Sequence, residues 1–265
     1  MFNDFKIGRS PHFRFPVLLL RLIVLIMIVT SCVGPLSPGY DSPAKIEDGI
    51  YSTDFGSYRG TAETLPQGMF VTGENSQGSE IGRAFDPFTG VHSTSPYTRD
   101  SFDGFGAFYS GGNYAFGIRE DGESDLQNAR LFLAYTNRTG RTITGFRVTY
   151  TVQVWFLGQR DNRIRLKYHT DTSGYSDIDD IVSTLNPRYE ITSDDGLRLV
   201  GSQPKNQTEV DYTFALHDVQ AEELADGETA YFRWQYSNGI HSDGPLRSGL
   251  AIDDIRIEPQ FEGDW

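Results

Sequence analysis

Two adjacent carboxylates, Asp253 and Asp254, stand inside the stretch Gly249-Leu-Ala-Ile-Asp-Asp-Ile-Arg-Ile-Glu-Pro259, which otherwise reads as a β-strand. Leu250 and Ile252 are apolar at even positions, Ile255 and Ile257 at odd ones. A regular strand cannot turn both pairs to one face, because a one-residue slip reverses every side chain. One extra residue absorbed at Asp253–Asp254 restores the phase, so a β-bulge is expected there, re-aiming both carboxylates. A buried carboxylate needs compensation. Three kinds are open: a cation such as Ca2+, which takes six to eight oxygen ligands, a salt bridge to arginine, or several backbone N–H donors.

A second set of residues suits an organic ligand better than a metal. In Phe146-Arg-Val-Thr-Tyr-Thr-Val-Gln-Val-Trp-Phe156, Phe146, Val148, Tyr150, Val152, Val154 and Phe156 share one face at period two. That alternation marks a strand with one face in a core. Arg147, Thr149, Thr151, Gln153 and Trp155 share the other face, expected to be open to solvent in a two-layer fold. An aromatic face with amide, hydroxyl and guanidinium neighbours suits sugar recognition, so Arg147, Thr151, Gln153 and Trp155 are the candidate ligand-binding residues. Trp234 keeps phase with Phe232 and Tyr236 and is expected in the core. Tyr97, Phe102, Phe105, Phe108 and Tyr109 crowd one segment and either wall a loop or pack.

Catalytic signatures are missing. The chain has no Gly-x-Ser-x-Gly, no His-Glu-x-x-His, no phosphate-cradling glycine loop and no Glu-x-Asp-x-x-Glu. His92, His169, His217 and His241 are scattered without ligand spacing, which fits surface or packing roles. Asp171–Asp180 is acidic and contains glycine but lacks the spacing of a calcium loop; it reads as a solvated loop, as does Arg119–Asp125. No catalytic residue is assigned, and an enzyme is not expected.

Strands must position these residues. Besides 146–156, strands are expected at Asn113–Arg119, Arg130–Tyr135, Ile164–Tyr168, Val210–Leu216 and Thr229–Tyr236, separated by Gly/Asp/Asn-rich turns. Only Asp177–Leu185 and Val219–Leu224 look helical. The fold class is all-β, an antiparallel β-sandwich, jelly-roll-like, forming a single domain over residues 46–261.

The N-terminus speaks about location. Lys6, Arg9 and Arg14 precede an apolar run from Val17 to Val29, 13 residues long. That is too short to span a bilayer as a helix, which needs about 20, and it describes an export signal. Val29-Thr30-Ser31-Cys32 resembles the bacterial lipobox, which implies cleavage after residue 31 and acylation of Cys32, the only cysteine. Two or more acyl chains anchor a protein firmly. Val33 follows, not an aspartate, and by that resemblance the outer membrane is the destination, on its periplasmic face or at the cell surface. Residues 32–45 then form a lipidated, flexible tether rich in Pro, Gly and Ser. With Cys32 acylated, no thiol remains for a disulfide or for catalysis.

The whole chain carries −13; without residues 1–31 it holds 19 basic against 35 acidic residues, a net −16. Such a surface repels phosphate backbones, so nucleic acid is excluded as an expected partner.

The ending Gly249–Pro259 resembles the last strand of jelly-roll modules, among them calcium-binding carbohydrate-binding modules and the adhesion modules called MAM domains. The stretches 131–155 and 230–257 are similar to a broad group of bacterial secreted β-sandwich domains, in which an Asn-x-Thr-Gly turn leads into a long alternating strand. The resemblance implies a metal site formed by the last-strand aspartates and an acidic residue of the first strand, making Asp54, Asp253 and Asp254 the candidate Ca2+ ligands. Met69 stands where that group carries tryptophan. The expected function is a membrane-anchored, non-catalytic binding lipoprotein for a glycan or surface polymer. The alternatives are an assembly lipoprotein that binds another protein, and a polysaccharide hydrolase or lyase.

Overall fold

The computed structural model describes residues 42–74, 88–93, 104–120, 126–158, 162–170, 185–191, 197–198, 206–238 and 247–264. Cys32 and its flanks, residues 121–125 and 171–184, Tyr97, Phe102, His241 and Trp265 lie outside them. Among the described residues no helix is long and apolar enough to cross a membrane.

Strands run in chain order as β1 (Ala44–Ile46), β2 (Tyr51–Thr53), β3 (Met69–Glu74), β4 (Phe88–Ser93), β5 (Gly104–Ser110), β6 (Asn113–Arg119) and β7 (Gln127–Asn137). There follow β8 (Gly145–Leu157), β9 (Asn162–His169), β10 (Leu185–Ile191), β11 (Leu197–Arg198), β12 (Gln207–Ala215), β13 (Thr229–Asn238) and β14 (Gly249–Gln260). The first sheet has the order β1-β7-β13-β9-β10, with β3 also on β7. The second has the order β11-β8-β14-β6-β5-β4, with β12 also on β8 and β2 on β14. Pairing is antiparallel except at β1–β7 and β4–β5, which are parallel. The all-β sandwich expected from the sequence is what forms. Its first strand starts inside the expected tether, since Ala44 is buried and pairs with Tyr135.

The inner faces meet in one core. Phe146, Val148, Tyr150, Val152 and Val154 of β8 are buried with Ile164, Leu166 and Tyr168 of β9 and Phe232, Trp234 and Tyr236 of β13. The rings of Phe146 and Phe232 meet edge to face at 5.1 Å, those of Tyr150 and Trp234 at 6.0 Å. Each such pair adds about 0.5–1.5 kcal/mol beyond the area it buries. The Asn-x-Thr-Gly turn closes on itself. Buried Asn137 donates through Nδ2 to the carbonyls of Arg141 and Leu224, and its Oδ1 accepts from the backbone and hydroxyl of Thr139. Val219–Leu224 is not a helix; a short 3-10 turn at Leu216–Val219 precedes it, and Leu224 bridges to Ile143.

Two irregularities interrupt the β8–β14 ladder. Gly249 pairs with Phe156 but Leu250 with Val154, leaving Trp155 as an extra residue on β8. Asp253 pairs with Thr151 but Arg256 with Thr149, leaving an extra residue on β14. The second is the bulge expected at Asp253–Asp254, and it returns Ile255 and Ile257 to the core with Leu250 and Ile252. The first was not expected. It takes Phe156 out of the row of inner residues and packs it with Trp155, Phe108, Ala115 and Ala251 on the opposite face.

Candidate functional site

The bulge places its two carboxylates differently. Asp254 has φ 49°, in the left-handed region that aspartate tolerates better than most side chains, and it is exposed. Asp253 is fully buried. Its Oδ2 accepts from Asn113 Nδ2 at 3.1 Å and from Gln153 Nε2 at 2.9 Å; its Oδ1 accepts from the Asp254 backbone N–H at 2.9 Å. Gln153 Oε1 in turn accepts from Trp155 Nε1 at 2.8 Å. Of the compensations the sequence left open, Asp253 thus has hydrogen-bond donors, mostly side-chain amides. Burial, helped by the neighbouring Asp254 charge, still raises the Asp253 carboxyl to about 7, and burial with the charges of Asp54 and Glu209 raises Asp254.

These donors bear on the calcium expectation. N–H groups facing a carboxylate compete with a cation for its lone pairs, and three of those of Asp253 are taken. Among the described residues no group of three or more His, Cys, Asp or Glu side chains gathers at metal-binding range. Asp54 and Asp254 do come together with Ser52, Thr53 and Arg256 around an open depression beside the bulge. Asp54 also caps its own turn, its Oδ1 accepting from the Gly56 N–H at 2.9 Å.

The candidate ligand row on β8 divides. Arg147 and Thr151 are accessible, and Arg147 forks onto Asp211 through Nε and Nη2 at 2.9 and 2.6 Å. Gln153 and Trp155, expected on an open face, are buried at 0% and 5% exposure. The reason lies three strands away. Phe108 of β5 stacks on Trp155 with ring centroids 4.9 Å apart and planes 7° from parallel. It reaches across small residues: a Cβ on Gly117 would lie 2.6 Å from the Phe108 ring, and one on Gly249 3.4 Å from its tip. Period two reveals which face a residue takes, but not that glycines on neighbouring strands let an aromatic close over it. Trp234 is core, as expected, and Phe105 joins the same core.

A second buried acid was not anticipated. Glu120, 3% exposed, accepts from the Ala129 N–H at 2.6 Å and is paired with Arg247. Burial raises its carboxyl to about 7 against the opposing pull of that N–H, Arg247 and Arg130.

The outer face of the first sheet was also missed, although its signal is in the sequence. In Asn162-Arg-Ile-Arg-Leu-Lys-Tyr-His169 every second residue is basic, and the apolar alternates are in the core. Arg163, Arg165, Lys167 and His169 therefore share the outer face of β9. Register adds Ser237, Gln235, Arg233 and Tyr231 of β13 beside them in that order, and Arg130 and Phe132 of β7 beyond Gln235 and Arg233. Phe132 stacks on Phe70 at 4.9 Å. Arg163 Nε donates to Ser237 Oγ at 3.2 Å, Arg233 Nη2 to Gln235 Oε1 at 3.3 Å, and Arg130 pairs with Glu74.

No family model matches the chain and no curated protein matches it. Among solved structures it is similar to the K3 cleaved adhesin domain of Lys-gingipain from Porphyromonas gingivalis W83, with a TM-score of 0.41, 14% identity, and coverage of 78% of this chain and 98% of that one. It is also similar to a carbohydrate-binding module, CBM28, specific for non-crystalline cellulose, with a TM-score of 0.33, 10% identity, and coverage of 58% and 79%. A third similar structure is TmCBM61 in complex with β-1,4-galactotriose, with a TM-score of 0.28, 13% identity, and coverage of 56% and 72%.

Proposed function

We propose that this chain is a lipoprotein, held at the bacterial outer membrane through acylated Cys32, whose β-sandwich binds a glycan or surface polymer without catalysing a reaction. One observation carries the binding reading. Across β7, β13 and β9 the outer face of the first sheet sets guanidinium, amide and hydroxyl groups in register, beside the stacked Phe70–Phe132 pair and Tyr231. Planar forked donors match vicinal oxygens; Phe70, Phe132 and Tyr231 are buried and pack behind those donors. Calcium enters as a proposal for the surface pair Asp54 and Asp254 only, with water completing the shell of oxygens.

Full-length protein in detergent, screened on a glycan array with Ca2+ and again with EDTA, tests the reading. Binding in both arms supports the function and makes Ca2+ dispensable; binding lost in EDTA assigns the cation a part in it. Absence of binding from folded protein in both arms overturns the glycan reading in favour of a protein partner. Anchoring has its own test: incorporation of a labelled fatty acid that Cys32→Ser abolishes.

A further inference from the structure

We infer that the hairpin joining β5 to β6 carries a second saccharide contact, at which an uncharged sugar ring packs against Tyr109 and Tyr114 and hydrogen-bonds to the Arg59 guanidinium. This rests on the glycan reading above and adds to it a subsite in the second sheet.

The strands bring the two rings together. Tyr109 and Tyr114 are directly paired residues of β5 and β6, so they point to the same side of the sheet, with ring centroids 4.5 Å apart. On that side Phe105 and Ala107 of β5 and Phe116 and Ile118 of β6 are in the core, whereas Tyr109 and Tyr114 are only half-buried. The apolar rows thus run out of the core and end in two rings that solvent reaches. Beyond them the chain turns at Gly111 and Gly112, with φ 63° and 95°, left-handed values that glycine takes at little cost. A Cβ on either glycine would have no atom within 4 Å. The tip stands in open space, and neither glycine carries a side chain that could screen the rings.

Arg59 supplies the polar group. It is exposed, and its guanidinium lies 3.9 Å over the Tyr114 ring. Nη1 donates to the carbonyls of Gly56 and Tyr58 at 2.9 and 2.8 Å. Among the described residues Arg59 forms no salt bridge, so the N–H groups on Nε and Nη2 are left for another acceptor. An arginine fixed by two carbonyls and a ring has already lost the side-chain freedom that binding otherwise costs. Its donor edge spans two adjacent oxygens, as vicinal hydroxyls present, while tyrosine offers rigid apolar area with a polar tip. The surrounding charge disfavours an anion. Asp54 accepts from the N–H of the same Gly56 whose carbonyl Arg59 holds, and Asn113, next to Tyr114, donates to Asp253. Carboxylates on both flanks offset the one cation, which leaves uncharged hydroxyls as the matching groups.

The experiment measures binding of the full-length protein in detergent to immobilised hydroxyethylcellulose, galactan, xylan and mannan, all uncharged, and to polygalacturonate. A neutral glycan selected by the array from outside this set is added to it. The expected result is binding to at least one uncharged glycan that persists in about 1 M salt, where the Debye length is about 3 Å. Tyr109→Ala and Arg59→Gln are each expected to bind roughly tenfold more weakly, whereas Tyr109→Phe, which keeps the ring, retains most binding. Should Tyr109→Ala not fold, Arg59→Gln, which leaves both rings in place, decides. Tyr109→Ala and Arg59→Gln binding as tightly as the natural protein overturns the hairpin subsite; loss of binding in Arg163→Gln/Arg165→Gln at the same time leaves the glycan reading standing on the first sheet alone. Preference for polygalacturonate that salt removes overturns the uncharged class. Binding to none of these glycans, with an empty glycan array, overturns both readings.

Discussion

Trp155 Nε1 donates to Gln153 Oε1 at 2.8 Å, and this bond decides which way round the Gln153 amide lies. With Oε1 committed to the indole, Nε2 has to face Asp253 Oδ2, 2.9 Å away. Indole nitrogen can only donate, so the chain of donors runs one way, from Trp155 through Gln153 to the carboxylate. A tryptophan that looked like a sugar platform is a clamp on a buried acid.

The clamp predicts the effect of Trp155→Phe. The ring stack on Phe108 survives in part, but a buried amide oxygen loses its donor, which costs about 1–3 kcal/mol. For a domain of this size that lowers Tm by roughly 2–4 °C per kcal/mol. Thermal unfolding followed by circular dichroism measures it; an unchanged midpoint would remove the clamp from the account.

Stability should fall as pH rises toward neutrality. Asp253 and Glu120 both stand at about 7 in the folded protein, against reference values of 3.8 and 4.5. Between about 4 and 7 the folded state therefore binds more protons than the unfolded one, and its stability declines across that window. Tm near pH 5 is expected to exceed Tm near pH 8, by on the order of 5 °C. The Asp253→Asn/Glu120→Gln variant should flatten the slope. A midpoint that climbs from acid to neutral pH contradicts the assignment.

At the bulge, glycine should do better than aspartate. Asp254→Gly removes a left-handed side-chain penalty of about 1 kcal/mol and one of the charges raising Asp253. Asp254→Val, β-branched at positive φ, should lose at least as much as glycine gains. Urea midpoints of the two variants falling on the same side of the natural protein would refute this.

Gly117→Ala should disturb the aromatic lid. Its Cβ would lie 2.6 Å from Phe108, a contact relieved only by moving that ring. Overpacking of this kind costs about 1–3 kcal/mol, and the fluorescence of Trp155 should shift as the stack opens. An emission spectrum identical to the natural protein's would show the ring to have room.

Much of this fold was legible in the sequence because alternation is a local property. The β6 limits were read as Asn113–Arg119, and the phase break at Asp253–Asp254 gave the bulge from apolar residues alone. What escaped depends on neighbours distant in sequence. Phe108 and Trp155 are brought together by strand order, and the Trp155 bulge leaves β8 looking regular when read by itself. The basic alternation of β9 is itself local, since Arg163, Arg165, Lys167 and His169 alternate with Ile164, Leu166 and Tyr168.

The two ladder irregularities have opposite effects on register. Below Asp253 and above Leu250 the pairing of β8 with β14 follows one offset, with Arg256 opposite Thr149 and Gly249 opposite Phe156; only the segment from Leu250 to Asp253 is displaced, by one residue. The extra residue on β8 cancels the extra residue on β14. Removing Trp155 alone, or Asp254 alone, would close one bulge and leave the other, keeping every remaining pair and every inner face but setting the two ends of the ladder one residue apart in offset. Removing both would leave an unbroken ladder with every inner residue still inside. The two bulges are therefore separable, and a chain lacking both would keep its sandwich while giving up the exposed turn at Asp254.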